Sequence, residues 1–254
     1  MIPQRLSIEV TNLCQKGCSF CYNASGAGGS TSWTTASLLD FVLDCQGTGT
    51  EAVSFGGGEP LLFDGLFDVL EELKGSIFRS ITTNGIQLDD QITYRALLKS
   101  EPDKVHVSIH DPENQKEVDQ VICQVKKLDR DGITSGINLL IHQSSLPAGL
   151  QVAENIHQAG ISSERVIFIP LHGDDSPTPE EVANTAGGQP FQSVSCLQEC
   201  RIRERFCAVG WDQKVGWCSY TSSRKELPEL SAAGLEKALK DLPLTSCETH
   251  LPRL

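Results

Sequence analysis

Strand-like segments alternating with helix-like ones predict an α/β protein: a partial, TIM-like (βα)6 barrel followed by a small cysteine-rich C-terminal extension. Three observations carry this expectation: the alternation itself, turn residues at the strand ends, and a break in the pattern after Pro170. Strands separated by helices of about 10–15 residues mark βαβ units on a parallel sheet. Right-handed crossovers then put every helix on one side of a curving sheet. Six units make three quarters of an eight-fold barrel.

The elements follow in order. Arg5–Thr11 (RLSIEVT) alternates as a strand and runs into a cysteine loop, and Thr34–Gln46 has helical spacing with threonines available as N-cap. Ala52–Phe55 is a short apolar strand ending in glycines, with a helix near Gly65–Lys74. Ser80–Thr83 is the third strand, ended by Asn84-Gly85, and Asp89–Lys99 its helix. Lys104–Ile109 and Glu113–Asp131 form the fourth pair, Ile137–Ile141 and Leu150–Ala159 the fifth, and Val166–Ile169 is the sixth strand. HGDDSPTPEE reads as a turn-rich, solvated linker, so residues 1–175 are expected to form the barrel and 176–254 the extension.

The chain has 254 residues and a formal net charge of -12. That charge disfavours nucleic acid, whose affinity rests on clustered Lys and Arg, and an anionic membrane surface. The N-terminus lacks the apolar core of a signal peptide, and no stretch approaches the ~18 apolar residues of a membrane span. A cytoplasmic protein is expected. Its ten cysteines then cannot be a disulfide framework, because that compartment keeps thiols reduced. Cys45 and Cys123 sit among apolar residues and are assigned to packing.

Cys14-Gln15-Lys16-Gly17-Cys18-Ser19-Phe20-Cys21 has the spacing C-x3-C-x2-C. Three thiolates on one short loop suit one face of a [4Fe–4S] cluster and leave one iron open, the mark of a reactive metal site. Zinc is the competing reading, but it favours paired C-x2-C halves and no second half follows nearby. Cys14, Glu59, Asn84, Ser108 and Pro170 all fall at or just past predicted strand ends, where (βα) barrels gather their chemistry.

These residues resemble the radical S-adenosylmethionine (SAM) superfamily. That family carries its cysteine trio on the loop after the first strand, with an aromatic before the third Cys, matched here by Phe20. Its Gly-Gly-Glu-Pro element after the second strand is matched by Gly57-Gly58-Glu59-Pro60, implying that this segment holds the SAM amino group. Thr83-Asn84-Gly85 resembles the family's third-strand ending, and Ser108 the fourth-strand serine that contacts SAM. Ile137 or Leu139 stands where the family brings an apolar contact to adenine.

Cys196, Cys200, Cys207, Cys218 and Cys247 crowd the tail. Residues 207–218 read as a hairpin with Asp212-Gln213-Lys214 near its tip, packed by Trp211 and Trp217. This resembles the SPASM or "twitch" extensions of the superfamily. It implies one auxiliary [4Fe–4S] cluster, most simply on Cys196, Cys200, Cys207 and Cys218, with Cys247 able to replace one of them. Zinc or plain packing are the alternatives. His110 and His172 lie near the rim, where substrate contact competes with simple hydrogen bonding, while His157 is a surface residue.

The resemblance implies reductive cleavage of SAM to a 5′-deoxyadenosyl radical that takes a hydrogen atom from substrate. An electron donor such as flavodoxin or ferredoxin is implied as a partner. The expected substrate is a ribosomally made peptide undergoing oxidative modification or crosslinking. The alternatives are dehydrogenation of a small molecule such as an amino sugar, activation of a glycyl-radical enzyme, and a non-catalytic metal scaffold.

Overall fold

The computed structural model describes residues 2–188, 205–240 and 242–243. In chain order the elements are β1 (Arg5–Thr11), α1 (Thr35–Gly47), β2 (Ala52–Gly57), α2 (Leu66–Glu72), β3 (Phe78–Thr83), α3 (Gln91–Ser100), β4 (Lys104–Ile109), α4 (Gln115–Arg130), β5 (Ser135–Ile141), α5 (Leu146–Gln158), β6 (Val166–Pro170), α6 (Pro179–Thr185), β7 (Phe206–Val209), β8 (Lys214–Gly216), β9 (Lys225–Glu226) and α7 (Ala232–Lys240). The described residues divide into two compact units, 2–104 with 205–243, and 105–188.

The first unit is built on strands in the order β3-β2-β1-β7-β8-β9. β1 pairs in parallel with both β2 and β7, and β7, β8 and β9 form an antiparallel meander. Alternation decides what each face does. Leu6, Ile8, Val53 and Phe55 are buried on the face covered by α1, whose Leu38, Phe41, Val42 and Cys45 meet them. Ser7, Glu9, Ser54 and Gly56 share the other face, in register Ser7 with Ser54 and Glu9 with Gly56. Thr34 caps α1 in a capping box with Ser37, so the helix starts where the threonines predicted.

Arg79 fixes the other edge of this unit. It is one of the largest fully buried side chains. Its guanidinium donates to the carbonyls of Leu70, Ser100 (3.1 Å) and Glu101 (2.6 Å) and to Asp103 Oδ2 (3.0 Å). One planar fork thus ties the ends of α2 and α3 to β3, satisfying helix carbonyls that have no partner within their own helix.

In the second unit β4, β5 and β6 are parallel, in register Ser108 with Asn138 and Asn138 with Ile167. The buried face of α4 is Val118, Val121, Val125 and Leu128, spaced as an amphipathic helix requires. Cys123 lies off this stripe and is exposed, which corrects its assignment to packing; Cys45 is fully buried as expected. Ser135 Oγ donates to Val125 O (3.0 Å) and Asp129 Oδ1 (2.8 Å), and Arg165 closes the group on Asp129 (2.6 Å).

The expected strands all form. Helix α5 begins at Leu146, a turn before the expected Leu150, because Pro147 sits in the first turn, where its missing N–H costs nothing. The supposed linker contains α6, with Thr178 and Glu181 in a capping box. Asp175 is half-exposed and accepts from Ser144 N (2.7 Å) and Oγ (2.8 Å), which hold its carboxyl below the usual range. His157 is exposed as expected.

Replacing Arg79 with Ala strands several buried carbonyls and opens a cavity. Unpaired buried acceptors cost about 1–3 kcal/mol each, so R79A is expected to lose about 3 kcal/mol or more of stability in denaturant melts, and R79K to recover only part of it.

Candidate functional site

The first strand delivers the cysteine loop through a kink. Glu9 registers with Gly56 and Thr11 with Gly57, so one extra residue of β1 bulges and turns the chain out of the sheet. The loop is closed at its base by Cys14 N donating to Gly26 O (3.0 Å) and Gly26 N to Asn12 O (3.1 Å). Gly17, at φ +59°, makes the tight turn between the first two cysteines. Within the loop, Lys16 N lies 3.5 Å from Cys14 Sγ and Ser25 N 3.4 Å from Cys21 Sγ. Cys14 also receives Asn84 Nδ2 at 3.6 Å.

The segment after β2 packs flush against this loop. Gly58 N donates to Thr11 O (2.6 Å) and Glu59 N to Leu13 O (2.8 Å). A Cβ on Gly58 would stand 2.3 Å from Leu13 O, and one on Gly57, at φ +113°, 2.4 Å from Thr11 O. Only glycine allows that approach. Glu59 is wholly buried and accepts from Thr83 Oγ1 (2.7 Å), Leu61 N (3.1 Å) and Asn84 N (2.8 Å). Burial pushes its carboxyl above the usual range, and the donated bonds from Asn84, Thr83 and Leu61 work against that rise. The resemblance gives Glu59 to the SAM amino group; here most of its acceptor capacity already organises the end of β3.

In the second unit the helix-facing side of β5 is fixed by Ser135 bonding to α4 and by Ile141, whose Cδ1 a Cβ on Gly149 of α5 would meet at 3.4 Å. Ile137 is on that side, wholly buried, in register with Val107 and Val166. Alternation turns it, and Leu139 with it, toward the helices. The opposite side carries Ser108 and Asn138, with the His106 ring laid over Gly136, where a Cβ would come within 2.8 Å of Cδ2. Asn138 is 7% exposed and its Oδ1 has no hydrogen-bond partner. Sequence reasoning passed over Asn138; the clue was its polar side chain in an otherwise apolar strand.

A match to the family model described as the Radical SAM superfamily spans residues 8–186. The chain belongs to the radical SAM superfamily. Probable GTP 3′,8-cyclases are similar to this radical SAM chain: that of Methanocella arvoryzae at 26% identity over 63% of this chain and 50% of its own, and that of Methanopyrus kandleri at 27% over 80% and 62%. The chain therefore spans between half and about three fifths of those curated relatives. Among solved structures, Streptococcus suis SuiB bound to S-adenosylmethionine superposes with a TM-score of 0.69 at 16% identity, covering 88% of this chain and 63% of SuiB. The enzyme anSMEcpe with bound AdoMet gives 0.67 at 16%, covering 98% and 81%. These likenesses establish the fold, the partial (βα) barrel of radical SAM enzymes.

The cofactors of this superfamily are a [4Fe–4S] cluster and SAM, and the loop can be tested against them. Among the described residues no three His, Cys, Asp or Glu side chains are close enough to form a metal-binding group. The three thiols of the radical SAM motif thus share one loop rather than a preformed tripod. Donors for a sulfur-rich ligand are nevertheless present: Asn23 Nδ2 and Ser25 Oγ are buried within the loop without hydrogen-bond partners. The donor set, the partnerless polar atoms and the glycine-lined seat fit the cluster. Phe20 is half-buried beside them. Of the tail thiols, Cys196, Cys200 and Cys247 lie outside the described residues, as does any cluster they would share. No helix among the described residues is long and apolar enough to cross a membrane.

Two substitutions probe the seat. G58A is expected to lose iron after anaerobic reconstitution, read by metal analysis, because the loop cannot stay where the added methyl must go. E59A strands three buried donors and is expected to cost on the order of 3 kcal/mol in thermal or denaturant melts, while E59Q is milder.

Proposed function

We propose that this chain is a radical SAM oxidoreductase that oxidatively modifies or crosslinks a ribosomally made peptide. When bound, the cluster and SAM supply a one-electron cleavage that yields a 5′-deoxyadenosyl radical able to take a hydrogen atom from substrate. Cys14, Cys18 and Cys21 would hold the cluster, with the loop amides and Asn84 donating to the thiolates. Gly57 and Gly58 give backbone access for an ammonium, and Glu59 and Thr83 keep that backbone in place. In the second unit, Ser108 and Asn138, whose Oδ1 has no partner, offer polar contacts to a ligand.

The observation favouring a peptide over a nucleotide is one of charge. In each unit, the C-terminal halves of β1–β6 bring no lysine or arginine to the strand face turned away from the helices, among the described residues; those halves carry Glu9, Gly56, Thr82, Ser108, Asn138 and Ile169 there. The nearby Arg224 is committed to Glu9, at 2.9 Å. A nucleoside triphosphate asks for several such cations, and a net charge of -12 works against it. The relatives named GTP 3′,8-cyclase act on such a molecule. SuiB, by contrast, has been captured with its precursor peptide SuiA, and anSMEcpe with the Cp18Cys peptide. The second reading, dehydrogenation of an amino sugar, draws on the same lack of free cations on that face.

The test is anaerobic. Reconstituted protein with dithionite and SAM is expected to release 5′-deoxyadenosine, and C18A to fall to background. A short peptide encoded beside the gene should stimulate this release and emerge lighter by a pair of hydrogens, while GTP should not. Conversion of GTP, or of an amino sugar with the peptide untouched, would overturn the peptide assignment; intact SAM would overturn the whole proposal.

A further inference from the structure

The C-terminal hairpin carries two thiols that spacing groups into a single metal site, yet the fold sends them to different places. β7 runs beside β1 with Leu6 opposite Cys207 and Ile8 opposite Val209, and Val209 is opposite Val215 of β8. Cys207 therefore shares the face of Leu6 and Ile8, the one covered by α1. There it is wholly buried near the equally buried Cys45, and burial first, then the nearby Cys45, pushes its thiol up. Helix α7, with Ala232, Leu235, Ala238 and Leu239 buried, packs on β8 and α1. This is a close-packed apolar layer, and such interiors hold few voids larger than a water molecule.

The opposite face of the hairpin carries Ala208 and Gly216. A Cβ on Gly216 would meet Thr221 Cγ2 at 2.9 Å and Arg224 Cγ at 3.3 Å, so the segment following β8 folds over this side. Arg224 forks onto Glu9 of β1 (2.9 and 3.3 Å) and donates to Ser219 O (2.8 Å). Cys218 stands on the same segment, accepting from Tyr220 N at 3.5 Å. The Tyr220 ring packs 4.9 Å from Tyr22, the neighbour of Cys21 in the cluster loop.

We infer that Cys207 is a core thiol and not a ligand of an auxiliary cluster, and that Cys218 is the hairpin thiol open to a second metal centre, on the side of the cysteine loop. The four-thiol set expected from spacing does not fit, because engaging Cys207 would require peeling β7 from β1. Apolar packing and the Arg224–Glu9 pair seat the hairpin without metal.

This rests on an iron–sulfur centre in the tail, which metal analysis tests separately. The full chain is purified and reconstituted anaerobically as wild type, as the C14A/C18A/C21A triple variant, as C207A and as C218A, with iron and sulfide counted per folded chain. The triple variant retaining about four irons, one cubane's worth, is the sign that the tail centre exists. C207A is then expected to keep the wild-type iron count and SAM cleavage with a lower melting temperature, and C218A to lose about four irons. C207V guards against misfolding, since valine fills the site without offering a ligand. Loss of iron from folded C207A and C207V would overturn the inference for Cys207. An unchanged count in C218A, or an iron-free triple variant, would overturn it for Cys218.

Discussion

A buried carboxylate holds the cofactor end of this molecule together. Glu59 leaves β2 just after the glycines, fastens its own backbone to Leu13 beside the first cysteine, and accepts from Thr83 and Asn84 at the end of β3. Asn84 in turn points its amide at Cys14. Three strand ends are thus tied into one ring through a group that burial makes costly and hydrogen bonds make tolerable. Without that ring, the cysteine loop would keep its closing bonds to Gly26 but lose its floor.

The rest of the first unit supports the same end from two directions. Arg79 binds the helix termini on one edge, and the hairpin of β7 and β8 extends the sheet on the other, where β1 is a central strand and not an edge. Trp33 Nε1 donates to Gly210 O and Gln213 Nε2 to Ser32 O, so the returning arm of the cysteine loop is bonded to the hairpin tip. Positions far apart in sequence therefore share the work of holding the loop. Loss of these bonds would be felt at the loop.

Much of this was legible in the sequence, and the gaps have physical causes. Strand periodicity and Gly–Pro punctuation located β1 to β6 because buried parallel strands leave strong apolar runs. The radical SAM motif was legible as a spacing on one short loop, and Gly57 and Gly58 as glycines at a close backbone approach. The side on which Ile137 lies was not legible, because the strand is apolar on residues that face both ways; the register and the bond from Ser135 give it. Spacing does not say which side of a hairpin a thiol occupies, so the register that puts Cys207 on the face of Leu6 and Ile8 left no trace in the sequence. The partners of Asp175, Ser144 and His142, were not legible because they lie some thirty residues earlier. Long-range pairing such as Arg224 with Glu9, 215 residues apart, leaves no local trace at all.

The contacts that seat the cysteine loop run largely through main-chain atoms: Gly58 to Thr11, Glu59 to Leu13, Cys14 to Gly26. Such a platform is indifferent to most of the side chains around it. The side chains on the strand face away from the helices, among them Ser108 and Asn138, can change toward new substrates without disturbing that main-chain platform. Chemistry and selectivity are thereby free to evolve on separate clocks: one written in backbone and glycine, the other in side chains that are easily exchanged.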